Sequence, residues 1–255
     1  MTDRVMVALL LTTGAGLATT IGSLIGLAVS RPGPKFMGFT LGFSAGVMLL
    51  VSFVELLQQA IESIGFLHAH SAFFIGMTGF FLIDTLLPHD YIGQHDHSDK
   101  RPESKLMRTG VLVALGIGIH NFPEGMATFA GALEDTHLGV AIAAAIAIHN
   151  IPEGLAVSAP IYKATGSRKQ AFLWSFLSGA SEPIGAALAA LILMPFLNAS
   201  TLGWVLAAVA GIMVAISVDE LVPEAKSLGH EHSHTPILGV MTGMLIMALS
   251  LWLLT

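Results

Sequence analysis

Residues Gly118–Ala127 read GIHNFPEGMA, and residues Ala147–Ala156 read AIHNIPEGLA. His, Asn, Pro, Glu and Gly recur in the same order 29 positions apart, each time inside an otherwise apolar run. A helix turns about 100° per residue. With His120 as origin, Asn121 stands at about 100° and Glu124 at about 40°. The carboxylate therefore lies between the imidazole and the amide, and the same holds for His149, Asn150 and Glu153. Two such helices face to face can hold one cation through His120, Glu124, His149 and Glu153. They can hold a second through Asn121, Asn150 and the same two carboxylates, which then bridge. Pro123 and Pro152 withhold a donor from the carbonyls of Ile119 and Ile148, which need another partner. Gly125 and Gly154 permit another backbone to come close.

The surroundings of this pair set the class. The chain has 255 residues, 54% hydrophobic and 11% charged, with mean hydropathy +0.76. A soluble domain carries about 25% charged residues. The composition is that of an all-α polytopic membrane protein. Cysteine is absent, which excludes disulfides and thiolate metal sites. The net charge of −6, without a basic patch, gives no footprint for nucleic acid.

Eight apolar segments are expected as transmembrane helices, at about 5–29, 36–61, 67–88, 108–130, 137–161, 169–194, 201–222 and 236–254. They form a single domain, 1–255. The first, with Arg4 ahead of it and small residues near Ala18, imitates a signal peptide. Its apolar run to Val29 is too long for one and reads as a span. Arg31 and Lys35, then Lys100, Arg101, Lys105 and Arg108, then Lys163, Arg168 and Lys169, then Lys226 occupy the odd-numbered loops. The even loops carry no Lys or Arg. The positive-inside rule puts the odd loops in the cytoplasm and both termini outside.

The chain also repeats on a larger scale. GVMLLVSFVELL (Gly46–Leu57) matches GIMVAISVDELV (Gly211–Val222) at Gly46/Gly211, Met48/Met213, Ser52/Ser217, Glu55/Glu220 and Leu56/Leu221. These segments lie in spans two and seven, and the two HN-PEG segments in spans four and five. Each pair is an odd number of spans apart and so antiparallel, the pattern of an inverted repeat whose interface commonly holds a transporter's substrate.

Depth gives the polar residues their meaning. His120, Glu124, His149 and Glu153 sit near the middle of their spans, where an ionised carboxylate costs about 2.5–3.5 kcal/mol on insertion scales. A hydrogen-bonded polar seam between helices is the plainer alternative to a metal centre. SGASEPIGA (Ser178–Ala186) adds Glu182, central in span six, as a third helix's contribution to the same centre. Glu55, Asp219 and Glu220 lie nearer the ends of their spans, as stepping sites at two mouths or as charges that snorkel. The loop 89–107, with His89, His95, His97, Asp90, Asp96 and Asp99, and the tract with His230, His232 and His234 are either weak metal tracts or solvated loops. His68, His70 and His137 show no partner pattern and read as boundary residues. Imidazole with carboxylate and amide oxygen, without sulfur, suits Zn²⁺, Fe²⁺, Mn²⁺ and Co²⁺.

In these motifs the chain resembles the ZIP (Zrt/Irt-like protein) family of metal-ion transporters, and within it the bacterial zinc-uptake permeases. The likeness covers nearly the whole chain and is most specific in the tandem HN-PEG pair. It implies a ZIP-like helix bundle with a central two-metal site, one metal on His120, Glu124, His149 and Glu153, the other on Asn121, Glu124, Asn150, Glu153 and Glu182. It further implies uptake of Zn²⁺, with Fe²⁺, Mn²⁺ and Co²⁺, into the cytoplasm across a bacterial inner membrane. A homodimer and the sliding of one helix group against another are implied too. The metal is cargo, and no catalytic residue or cofactor is expected. The enzyme alternative is a membrane metallohydrolase, which needs an open coordination position and a spare base. The chain has no HExxH. A metal sensor is the third class, and no output domain is seen for it.

Overall fold

A computed structural model describes residues 2–28, 33–86, 102–134, 136–193, 196, 198–228 and 234–254. The described residues form eight helical rods and no strand. They are α1 (Thr2–Ala28), α2 (Pro34–Ile64), α3 (Phe66–Leu86), α4 (Pro102–Glu134), α5 (Thr136–Thr165), α6 (Arg168–Leu188), α7 (Ala199–Ser227) and α8 (Thr235–Leu254). Apolar stretches of membrane-crossing length occupy Asp3–Ala28, Pro34–Ile64, Ile142–Thr165, Ala199–Ser227 and Thr235–Leu253. The outward faces are apolar, with Leu10, Leu17, Phe74, Ile75, Met241, Leu245 and Trp252 exposed. Polar side chains such as Thr12, Thr19, Ser44, His120 and Glu153 are buried. This polarity, oily outside and polar inside, is that of an all-α polytopic membrane protein.

Helices α4, α5 and α7 run past the expected spans, to Glu134, Thr165 and Ser227, and the largest extension is at the start of α4. α4 begins at Pro102, so residues 102–107, expected in the His-rich loop, are its first turns. Proline is well placed there, because the first-turn N–H groups have no helical acceptor. His89, His95, His97, His230 and His232 lie outside the described residues.

The rods pack as an inverted repeat. α1 lies on α5 and α6, and α4 lies on α6 and α5; α2 lies on α8, and α3 on α7. Exchanging α1 with α6, α2 with α7, α3 with α8 and α4 with α5 reproduces this list. The repeat extends to backbone detail. α2 widens into a π turn at Ser52–Leu56, and α7 does so at Ile216–Leu221. Ser52 donates to the Met48 carbonyl at 2.6 Å, and Ser217 to that of Met213 at 2.8 Å. Such back-bonding by serine bends helices. The sequence match of spans two and seven is thus the signature of one wide turn used twice.

Glycines divide the rods into two groups, α1/α4/α5/α6 and α2/α3/α7/α8. A Cβ on Gly22 would fall on the carbonyl of Ile151, and one on Gly185 on that of Phe122. In the other group, Gly46 lies on the carbonyl of Val240 and Gly211 on that of Phe73. Across the groups, the atoms nearest a Cβ on Gly116 belong to the side chains of Ile216 and Phe80. Close backbone packing, the main source of helix association in lipid, therefore operates inside each group. The seam between groups is made by side chains.

Candidate metal centre

α4 and α5 cross at the two HN-PEG segments. Both helices continue through their prolines. His120, Asn121, Glu124, His149, Asn150, Glu153 and Glu182 are no more than 1% exposed. The structure brings all seven together, and the pairing is reciprocal across the helices. His120 Nε2 lies 2.8 Å from Glu153 Oε1, and His149 Nε2 lies 3.4 Å from Glu124 Oε2. Each imidazole meets the carboxylate of the opposite helix rather than the one a turn away on its own. Among the described residues, no three His, Asp or Glu side chains close around one point in this arrangement.

α6 and α1 close the flanks. Asn150 Nδ2 donates to Glu182 Oε2 at 2.7 Å and to the Ala15 carbonyl at 2.9 Å. On the opposite flank, Asn121 Nδ2 faces the Ser178 carbonyl at 3.4 Å. Turned over, the same amide donates to Glu153 Oε2 at 3.3 Å and to the Ile117 carbonyl at 3.2 Å. It thus stands within reach of both the α6 backbone and the carboxylate. Oxygen atoms Oε1 of Glu124 and Glu182, Oδ1 of Asn150, and Nδ1 of His120 are buried without a hydrogen-bond partner. Buried polar atoms are rarely left so, because each forfeits its hydration.

The backbone makes this convergence affordable at close range. Gly125 follows Glu124 and lies on the Glu182 carbonyl; Gly154 follows Glu153 and lies on the Thr19 carbonyl. Any side chain at either glycine would push α6 or α1 away from the cluster. Pro152 also offers its own carbonyl, which accepts Ser44 Oγ of α2 at 2.6 Å. That bond crosses between the two helix groups beside Glu153.

The remaining candidates lie elsewhere. Glu55 is partly buried in the π turn of α2 and accepts from Gln59 Nε2 at 2.5 Å. Asp219 is exposed in the π turn of α7, and Glu220 beside it is half-buried. His68 and His70 turn back to the carbonyls of Ile64 and Phe66 at the start of α3, as boundary residues would. Sequence reasoning missed Thr19, Ser44 and the carbonyls of Ala15 and Ser178. Ala15, Thr19 and Ser44 stand in no motif and Ser178 only opens the Glu182 segment; the packing of α1, α2 and α6 on the HN-PEG helices reveals them.

A sequence model of the ZIP zinc transporter family matches residues 87–251. The chain belongs to the ZIP zinc transporter family. It is 47% identical to the zinc transporter ZupT of Akkermansia muciniphila, over 98% of each chain. It is 49% identical to the zinc transporters ZupT of Chlorobium chlorochromatii and Lysinibacillus sphaericus, over 100% of each chain in both cases. ZIP proteins are transporters, so membership removes the metallohydrolase alternative. It also fits a helical bundle that, among the described residues, buries a cluster of ionisable side chains in its interior.

Proposed function

We propose that this ZIP protein carries Zn²⁺ across the bacterial inner membrane into the cytoplasm, through a two-cation centre on α4, α5 and α6. Fe²⁺, Mn²⁺ and Co²⁺ are accepted as well. The observation that carries the reading is the reciprocal pairing of His120 with Glu153 and of His149 with Glu124. Two ligands about 2.0–2.1 Å from a tetrahedral zinc stand roughly 3.3 Å apart. The 3.4 Å separation of His149 and Glu124 is close to that spacing. The 2.8 Å pair of His120 and Glu153 needs to open by about half an ångström to match it. A cation entering between the paired atoms exchanges hydrogen bonds for coordination with small side-chain rotations. Zinc as the cargo agrees with the names of the relatives and with mixed imidazole and carboxylate donors.

The second cation sits on Asn121, Asn150 and Glu182, with Glu124 and Glu153 bridging. Its donors are oxygens, which supports looser binding of zinc there than at the imidazoles. Glu55, Asp219 and Glu220 serve as stations toward the two mouths. The single transport domain spans 1–255 and works as a homodimer. Uptake into proteoliposomes tests this function, with Zn²⁺, Fe²⁺, Mn²⁺ and Co²⁺ each supplied with and without a pH gradient. Saturable Zn²⁺ entry is expected. Folded protein that moves no more zinc than empty liposomes contradicts it.

A further inference from the structure

The inverted repeat gives residues Val5 to Ile25 of α1 counterparts in α6, 163 positions later. Gly16 and Gly179 lie against each other's carbonyls, and Gly22 and Gly185 lie on the carbonyls inside the two HN-PEG segments. The same offset takes Ala15 to Ser178, whose carbonyls face Asn150 and Asn121 respectively. It takes Thr19 to Glu182. These two residues also match in the backbone, since the Thr19 carbonyl receives Gly154 as the Glu182 carbonyl receives Gly125. Thr19 therefore occupies, in one half of the centre, the place that Glu182 occupies in the other. Glu182 reaches Asn150. The repeat directs Thr19 toward Asn121.

The hydroxyl of Thr19 is in keeping with that place. Thr19 is fully buried, and its Oγ1 has no hydrogen-bond partner. The hydroxyls of Ser23 in α1 and Ser158 in α5 are also buried without a partner, but four other threonines in these helices donate to the carbonyl four residues earlier. Thr12, Thr13, Thr128 and Thr165 do so at 2.7–3.0 Å. Thr19 does not; the carbonyl four residues before it, that of Ala15, accepts from Asn150 instead. Its Oγ1 lies instead against Gly179, where an added Cβ would stand 3.2 Å away, next to Ser178 and so next to the Asn121 flank.

We propose that Thr19 is a cargo-binding residue, its hydroxyl oxygen the neutral counterpart of Glu182 and a donor to a divalent cation in the Asn121 half. The proposal rests on the reading of the cluster as the cargo site. Its consequence is chemical. With Thr19 in place of a fourth carboxylate, the centre carries Glu124, Glu153 and Glu182 and a weak neutral donor opposite the last. Ligand charge count tunes how tightly a cation is held. A neutral donor on one side keeps the cation exchangeable, as transport requires.

The test is zinc binding by purified full-length protein in detergent, paired with KM for zinc uptake into proteoliposomes. Valine matches threonine in shape and lacks the oxygen. Thr19→Val is expected to weaken zinc binding and raise KM by roughly two- to tenfold, as loss of one polar contact does. Thr19→Ser is expected to restore both to within about twofold of wild type. Thr13→Val, whose hydroxyl is spent on its own helix, is the control and should change neither. Where valine compromises folding, Thr19→Ala takes its place in the comparison with serine. Wild-type binding by Thr19→Val, while Glu182→Gln binds more weakly, overturns the assignment of Thr19 alone. Equal losses in Thr19→Ser and Thr19→Val also overturn it, since the position then matters for packing. Unchanged binding in Glu182→Gln and Glu124→Gln as well removes the cargo-site reading, and Thr19 with it.

Discussion

At the scale of single residues, the two HN-PEG segments assign unequal duties to their side chains. Glu124 and Glu153 each meet an imidazole of the opposite helix, and each is proposed to serve two cations. Glu182 touches one flank only, through Asn150. Glu182→Gln should therefore reduce zinc uptake less than either bridging change does, measured as initial rate at matched protein level. A Glu182→Gln loss equal to theirs contradicts this ranking. His149→Ala should harm Zn²⁺ uptake more than Fe²⁺ uptake, since imidazole matters more to the nitrogen-preferring ion. The ratio of the two rates in the same liposomes is the readout, and an unchanged ratio counts against His149 as a ligand. The seven ligand candidates were legible from the sequence because helical geometry and depth both single them out. Thr19 was not. It is one hydroxyl among many in an apolar helix, and its meaning comes from which carbonyl and which glycine it faces.

At the scale of elements, close helix approach is what brings three carboxylates and two imidazoles into one place. A Cβ on Gly154 would collide with the backbone of α1, whereas one on Gly14 would meet nothing within 4 Å. Gly154→Ala should lower stability in detergent by about 1–3 kcal/mol, the usual range for overpacking. Gly14→Ala should be neutral or slightly stabilising, because alanine is the better helix former. Melting temperatures of the two variants decide it; a Gly154→Ala protein as stable as wild type would remove the close-packing argument. Sequence alone identified the repeats of spans two and seven and of spans four and five, where side chains recur. The kinship of α1 and α6 stayed hidden. It is carried by glycine spacing and carbonyl contacts, while the side chains between them differ, Ala15 against Ser178 and Thr19 against Glu182. The helical start at Pro102 was also missed, because charged and polar residues that suit a helix end look like a loop when hydropathy is the guide.

At the scale of the whole molecule, two groups of four helices meet along a seam of side chains, with the Ser44 bond to Pro152 crossing it beside the centre. The direction of transport depends on how this bundle lies in the membrane. Ten of the eleven Lys and Arg residues fall in the odd-numbered connections or in the helix ends that flank them. Position 100 is therefore expected in the cytoplasm and Thr255 outside. Because the chain has no cysteine, single cysteines at these positions can be labelled without background. Labelling of position 100 by an impermeant reagent in intact cells would reverse the orientation. The His-rich loop is expected to lie off the proposed membrane path. Deleting His95 to Asp99 should leave most zinc flux and alter its dependence on metal concentration. A loss as complete as that of Glu124→Gln would place the loop on the obligatory path. The most direct measurement of the central claim is zinc uptake by the Glu124→Gln, Glu153→Gln double variant, reconstituted at wild-type level and shown to be folded. Uptake indistinguishable from empty liposomes is predicted; wild-type uptake would contradict the assignment of the centre to these two helices.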